Sequence, residues 1–268
     1  MPKRYVHIVT VGASLLNNAL REKQLPTLPP SLQGQLDVEN ALKKHEINKE
    51  KVVEELLTYI RNKGHEASAE LSSISEYIQK GKVDTVHLLH TDTEVGEVCA
   101  NALQRYFWEK GINTKKHRIE GFQTEQEFNE KGLQNLLLKT YDLIKKHEGE
   151  RVLLNATGGF KPEGTALSLV SFIMRKPVYY RHETFKTTIT LPPLPIDWKS
   201  EILDQKYRSA LQDLIQPNAI EKNEFEKRYG KDVAEAMAED LLLIKDTGQK
   251  YELTPFGKLI YRVAFSHP

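Results

Sequence analysis

Residues 151–167 read RVLLNATGGFKPEGTAL. An apolar run of strand length passes into Asn155, Ala156 and Thr157, then Gly158 and Gly159, then Lys161 and Pro162 at the head of a second apolar segment. The reading is strand, tight turn, helix. Proline suits a first helical turn, where its missing N–H leaves nothing unpaired. Paired glycines let a backbone approach a neighbour closely and line up consecutive N–H groups. The helix, starting near Phe160, directs its positive end at the same place. A lysine on that first turn is opposed by the helix dipole by about 0.3–1 kcal/mol, a penalty that a bound phosphate more than offsets. The same residues also fit a plain strand–helix turn with a solvated lysine. The G-x-x-x-x-G-K-[ST] spacing of the nucleotide-triphosphate loop is absent.

Outward from this turn, strand and helix signals alternate. YVHIVTV (5–11) is a first strand, DTVHLLHT (84–91) a second, TKKHRIEG (114–121) a weaker third. Helical spacing marks 47–64, 68–81, 93–111, 124–149 with an interruption at Gly132, and 161–176. PVYYRHE and KTTITLP form a closing hairpin, with Tyr179, Tyr180 and Arg181 as packing or surface residues that could line a pocket or a dimer seam. Residues 21–46, with Pro26, Pro29, Pro30 and Gly34, read as an irregular functional insertion. Such alternation means a mostly parallel sheet with helices on both faces, and ligands of such sheets bind at the carboxyl ends of the strands. Three strand ends therefore matter: Gly12-Ala13-Ser14, Thr91-Asp92-Thr93, and Asn155 to Lys161. Ser14 fits either a helix N-cap or a hydroxyl for a phosphate or ribose. Thr93 or Asp92 fits an N-cap, and Asp92 equally suits an adenine amino group or ribose hydroxyl.

After the proline-rich LPPLPIDW (191–198) the character changes. Helices near 199–215, 221–229 and 231–240 precede two short strands around Asp246-Thr247-Gly248 and a last helix. That order suggests a small winged helix-turn-helix domain over 196–268, following an α/β domain over 1–195.

Composition narrows the function. Lys and Arg number 38 against 37 Asp and Glu, a formal net charge of +1, which argues against gripping nucleic acid by bulk charge. Residues 199–268 carry eleven Lys and Arg against twelve Asp and Glu, so DNA binding by the tail has weak support. One cysteine, Cys99, excludes a disulfide framework and suits a reducing cytoplasm. The apolar start is too short for a signal peptide, and no window reaches the roughly 18 apolar residues of a membrane span. The nine histidines show no metal-ligand spacing; His87 and His90 face opposite sides of one strand. No metal or cofactor is expected.

The three strand ends, TVGASLLNN (10–18), LLHTDTEVGEVCA (88–100) and LNATGGFKPEGTAL (154–167), together resemble the CARF domain, the CRISPR-associated Rossmann-like sensor of cyclic oligoadenylates. The resemblance covers roughly residues 1–195, and the tail resembles the winged-helix segment of many such proteins. No R-x-x-x-x-x-H signature of a HEPN ribonuclease follows. The resemblance therefore implies a ring nuclease or a ligand-controlled transcription regulator. Similar ring nucleases use a serine after the first strand and the lysine of the glycine turn, here Ser14 and Lys161. Ligand contacts are implied for Gly12, Ala13, Leu15, Thr91, Asp92, Thr93, Asn155, Ala156, Thr157, Gly158, Gly159 and Phe160. The ligand implied is cyclic tetra-adenylate, with cyclic hexa-adenylate as the alternative, lying across the two-fold axis of a homodimer. The 21–46 insertion would then act as a lid.

Overall fold

The computed structural model describes residues 4–159, 161–181, 187–193, 205–215 and 219–265. Phe160, most of the 191–198 linker and the hairpin tip lie outside them. The chain forms two compact units, residues 1–193 and 194–268.

The first unit is built on a six-stranded sheet in the order β3-β2-β1-β4-β5-β6, where β1 is Tyr5–Val11, β2 Thr85–Thr91, β3 Asn113–Ile119, β4 Arg151–Asn155, β5 Val178–Arg181 and β6 Thr188–Leu191. All neighbours are parallel except β5 and β6, which close the sheet as an antiparallel pair. Strand order reverses between β1 and β4, so the crevice at their carboxyl ends is the topological switch point. The central strand β2 is buried at every residue, its threonines and histidines included, as a sheet covered on both faces requires.

Helices α1 (Ser14–Arg21), α2 (Gln35–Lys43), α3 (Lys49–Lys63), α4 (Ala69–Gln79) and α5 (Glu94–Glu109) precede β3. A short helical turn α6 (Glu125–Glu127), α7 (Leu133–Lys146) and α8 (Lys161–Ile173) follow it. Val9, Val11, Val86 and Leu88 share one core with Leu16 of α1, Leu56 and Ile60 of α3, Leu71 of α4 and Val98 and Leu103 of α5. The long 124–149 segment is broken by a π-turn over Phe128–Gly132. There Gly132 lies against Gly121, and a Cβ on Gly121 would sit 2.7 Å from the Gly132 nitrogen.

The 21–46 segment is not irregular throughout, as expected, but contains α2. Leu25, Leu28, Val38 and Leu42 are buried in the same core, and Thr27 bonds Glu55 through its N–H at 2.9 Å. The proline-rich stretch before α2 hid its helical spacing.

The second unit comprises α9 (Gln205–Ile215), β7 (Ala219–Glu221), α10 (Lys222–Tyr229), α11 (Lys231–Glu235), a π-turn over Ala236–Asp240, β8 (Ile244–Asp246), β9 (Lys250–Leu253) and α12 (Pro255–Phe265). Its strands form an antiparallel sheet in the order β7-β9-β8. The three-residue β7 gives too short a pattern to read from sequence. Among the described residues no helix is long and apolar enough to cross a membrane.

Candidate functional site

At the switch point the exits of β1 and β4 touch backbone to backbone. A Cβ on Gly12 would lie 2.6 Å from the nitrogen and 2.8 Å from the Cα of Gly159. A Cβ on Gly158 would lie 2.6 Å from the Thr10 carbonyl and collide with the Glu70 carboxylate. Gly159 has φ +87°, a conformation that only glycine adopts without cost. The Thr10 hydroxyl ties the two exits, donating to the Gly158 carbonyl at 2.6 Å. The paired glycines are thus required by chain-on-chain packing, whatever else they approach.

Negative groups do sit at these turns, and they belong to the protein. Glu70, in the first turn of α4 and completely buried, accepts from the Gly12 N–H at 2.9 Å and from the Ser14 hydroxyl at 2.9 Å. Glu163 buries its carboxylate against Gly159. At the β2 exit, Glu39 of α2 accepts from the N–H groups of Glu94 (3.1 Å) and Val95 (2.8 Å). Thr93 caps the same helix, accepting from Gly96 N–H at 3.0 Å. The open amides at the head of α5 are therefore filled from within.

The residues singled out from sequence divide accordingly. Ser14 does not cap α1: Ala13 holds the cap position and no side chain caps it. The Ser14 hydroxyl instead reaches Glu70 and accepts from the Ala69 N–H at 3.1 Å. Ala13 packs against the core and Leu15 lies inside it. Thr91 is buried and shares a 2.7 Å hydroxyl contact with Thr93. The Asp92 carboxylate accepts from the backbone N–H of Gly121 (2.9 Å) and Phe122 (3.1 Å), so it braces the β3 exit. Asn155 is wholly buried; its amide donates to Ser73 at 2.7 Å and its oxygen accepts from Thr157 N–H at 3.1 Å. Ala156 is half-buried, Gly159 exposed, and Lys161 exposed on the first turn of α8.

A cavity of about 650 Å³ opens beside the β1 exit, lined among others by Ser14, Arg21, Lys63, Ser72, Thr157 and Arg181. Thr157 accepts from the Arg181 N–H at 3.1 Å, and the Arg181 guanidinium donates to the Ser72 carbonyl at 2.9 Å, fixing its base. Lys63 pairs with Glu22 at 2.7 Å and holds that carboxyl below its usual range. Glu66 also lines the cavity, which leaves three cations against two carboxylates. Lys161 does not line it; its neighbour Pro162 lines a smaller apolar hollow with Phe122 and Phe128.

A histidine cluster lies on the sheet face opposite the α1–α5 core. His87 Nδ1 is 2.8 Å from His117 Nε2, and His87 Nε2 is 2.8 Å from His147 Nε2, whose Nδ1 is 3.2 Å from Glu150. One neutral tautomer chain satisfies every contact: His147 donates to Glu150, His87 to His147, and His117 to His87. Burial and the neighbouring imidazoles hold His87 down at about 3; burial and nearby lysines hold His117 at about 4. Because His87 uses its two nitrogens toward different partners, the donors do not converge. Among the described residues no group of three or more such side chains could hold a metal ion. Separations of 30 and 60 residues from His87 hid this cluster in the sequence.

Residues 65–194 match the model of a CRISPR-associated protein family, Cas_APE2256. Solved structures similar to the chain include Can2 from Sulfobacillus thermosulfidooxidans in complex with cyclic tetra-adenylate, at 10% identity and a TM-score of 0.36. Protein VC1899 from Vibrio cholerae is another, at 7% identity and 0.39. Each alignment covers 97% of this chain and 64% of the other, so the chain spans less than two thirds of their length.

Proposed function

We propose that the first unit is a CARF-type domain that binds a cyclic oligoadenylate, cyclic tetra-adenylate in the first instance, and cleaves it without a metal. The observation that carries this reading is the contact between Gly12 and Gly159 at the switch point. It sets two strand exits side by side, with Ser14 two residues beyond one glycine and Lys161 two residues beyond the other. The adjoining cavity, with Arg21, Lys63 and Arg181, offers positive charge to phosphodiesters. The match of residues 65–194 to a CRISPR-associated family agrees with the same assignment.

In this reading two copies of the chain face each other and one ring spans the two-fold axis. A ribose 2′-OH held in line with its adjacent phosphate attacks phosphorus and the P–O5′ bond breaks, giving a 2′,3′-cyclic phosphate and a free 5′-OH. In-line alignment alone supplies several kcal/mol of the barrier, on the order of 7–11 kcal/mol at best. Lys161 balances charge growing on the phosphoryl and departing oxygens. Cleavage would switch off ring-dependent CRISPR signalling in the cytoplasm.

Incubation of the purified protein with cyclic tetra-adenylate in EDTA should yield linear di-adenylate products. Lys161→Ala should abolish cleavage and leave the dimer intact by size-exclusion chromatography. Recovery of intact ring from the wild-type protein would overturn the enzyme reading. A ring-responsive regulator is the second reading, favoured by the helix–strand–helix–helix–strand–strand order of the second unit, which fits a winged helix. Two of its cations are paired, Arg228 with Asp213 and Glu224 and Lys250 with Glu221. Salt-dependent binding to duplex DNA would raise that reading.

A further inference from the structure

The hydrogen bonds of Ser14 leave it one free role. Its single proton goes to Glu70 Oε2 at 2.9 Å, and one of its two lone pairs accepts from the Ala69 N–H at 3.1 Å. A hydroxyl has one donor and two acceptor sites, so only a lone pair remains on the hydroxyl of this cavity-lining residue. Toward a ligand Ser14 can accept and cannot donate. It therefore suits a ribose hydroxyl, which brings a proton, and not a phosphate oxygen, which brings none.

Behind Ser14 stands a carboxylate with 0% of its surface exposed. Its partners given above are two neutral donors, Gly12 N–H and Ser14 O–H. Burying a carboxylate without a cation is costly, and an acceptor needed only for packing need not be charged. We propose that Glu70 is the proton sink of this site and acts through Ser14; the inference rests on the ring-cleavage reading above. The 2′-O–H bond breaks as the 2′ oxygen bonds to phosphorus. Its proton passes to Ser14 Oγ while the Ser14 proton passes to Glu70 Oε2. The P–O5′ bond breaks and the 5′ oxygen takes a proton from the Lys161 ammonium. Exchange with water then removes the proton from Glu70 and returns one to Lys161. Glu70 is a positioning residue here, since it acts on the ring only through Ser14.

The test separates affinity from chemistry, by calorimetric Kd and single-turnover cleavage of cyclic tetra-adenylate. Glu70→Gln should slow cleavage by about 10²–10⁴-fold, the usual yield of proton transfer, with Kd changed by less than about threefold. Groups that act as a unit lose activity non-additively, so Ser14→Ala with Glu70→Gln should be no slower than the slower single variant. A ring with sulfur at one 5′ bridging position needs no proton on its leaving group. It should restore cleavage to Lys161→Ala and not to Glu70→Gln. Near-wild-type cleavage by Glu70→Gln, multiplied losses in the double variant, or rescue of Glu70→Gln by the sulfur ring each overturns the inference. If glutamine at 70 prevents folding, Ser14→Ala decides, because it leaves the Glu70–Gly12 bond in place; an unchanged rate overturns the relay. An intact ring with wild-type protein overturns the cleavage reading and this inference together, whereas equal cleavage by wild type and Glu70→Gln overturns the inference alone.

Discussion

The exits of β1 and β2 are built from the same parts and end in different states. Each presents backbone N–H groups at a strand's carboxyl end, and each receives a carboxylate from a neighbouring helix. At β2, Glu39 and Thr93 together occupy the Glu94, Val95 and Gly96 amides, and Asp92 is turned to the β3 exit. That end is closed. At β1, Glu70 takes Gly12 and Ser14, yet Ser14 still borders a cavity of about 650 Å³ with three cationic side chains on its wall. A polar strand end is therefore not in itself a binding site. What distinguishes one is a polar atom left over after the fold's own donors and acceptors are matched.

The largest effect should come from Gly12→Ala. Its Cβ would meet the Gly159 backbone at 2.6 Å, and neither strand exit can yield, so unfolding by urea should show a loss of about 3 kcal/mol or more. Gly149→Ala, with nothing within 4 Å of its Cβ, should stay within about 0.5 kcal/mol. Equal tolerance at the two positions would break the packing account of the open exit. Glu39→Ala should cost about 1–2 kcal/mol by stripping the head of α5, and ring affinity should not move; a fall in affinity would mean that the β2 exit is not closed.

Acid should strike neither exit first. The folded pKa values of His87 and His117 lie below their ordinary 6.5, at about 3 and about 4. The folded state therefore binds fewer protons than the unfolded one, and their contribution is whole above about pH 6.5 and lost as pH falls from there toward 4 for His117 and toward 3 for His87. Thermal melts should drop by ~3–6 °C between pH 7.5 and pH 5. His117→Asn should reduce that dependence without abolishing it, because burial also holds His87 at about 3 and His7 at about 4. The smallest effect expected on ring binding is that of Arg181→Ala, which removes one cation from the open cavity and should weaken binding about 5–10-fold, by roughly 1 kcal/mol.

The sheet was legible where a strand is a short, mainly apolar or β-branched run that stops at a turn residue, and β1 is found at 5–11, ahead of Gly12, as its pattern predicts. Helices α3, α5 and α8 follow from spacing and terminal residues. The site was only half legible. Ser14, Thr157 and the glycine turn stand out locally, and all lie at the switch point. Glu70 and Glu39 do not, because an acid on a helix reads as dipole complement or solvated surface. Their partners lie 58 and 55 residues away. The glycines read as room for a ligand, since nothing local in 151–167 shows that Gly12 occupies that room. Only the resemblance pairs Lys161 with Ser14, and the cavity that Ser14 lines does not include the lysine.

The segment between α1 and α3 has a consequence for anyone shortening this chain. A proline-rich surface excursion invites deletion, since long loops cost little entropy to close when trimmed. Here excision would remove Glu39 and with it the plug in the head of α5, along with Leu25 and Leu28 from the core. The shortened product would have two bare amides and an exposed apolar hollow beside β2, and it should precipitate rather than lose only an accessory feature.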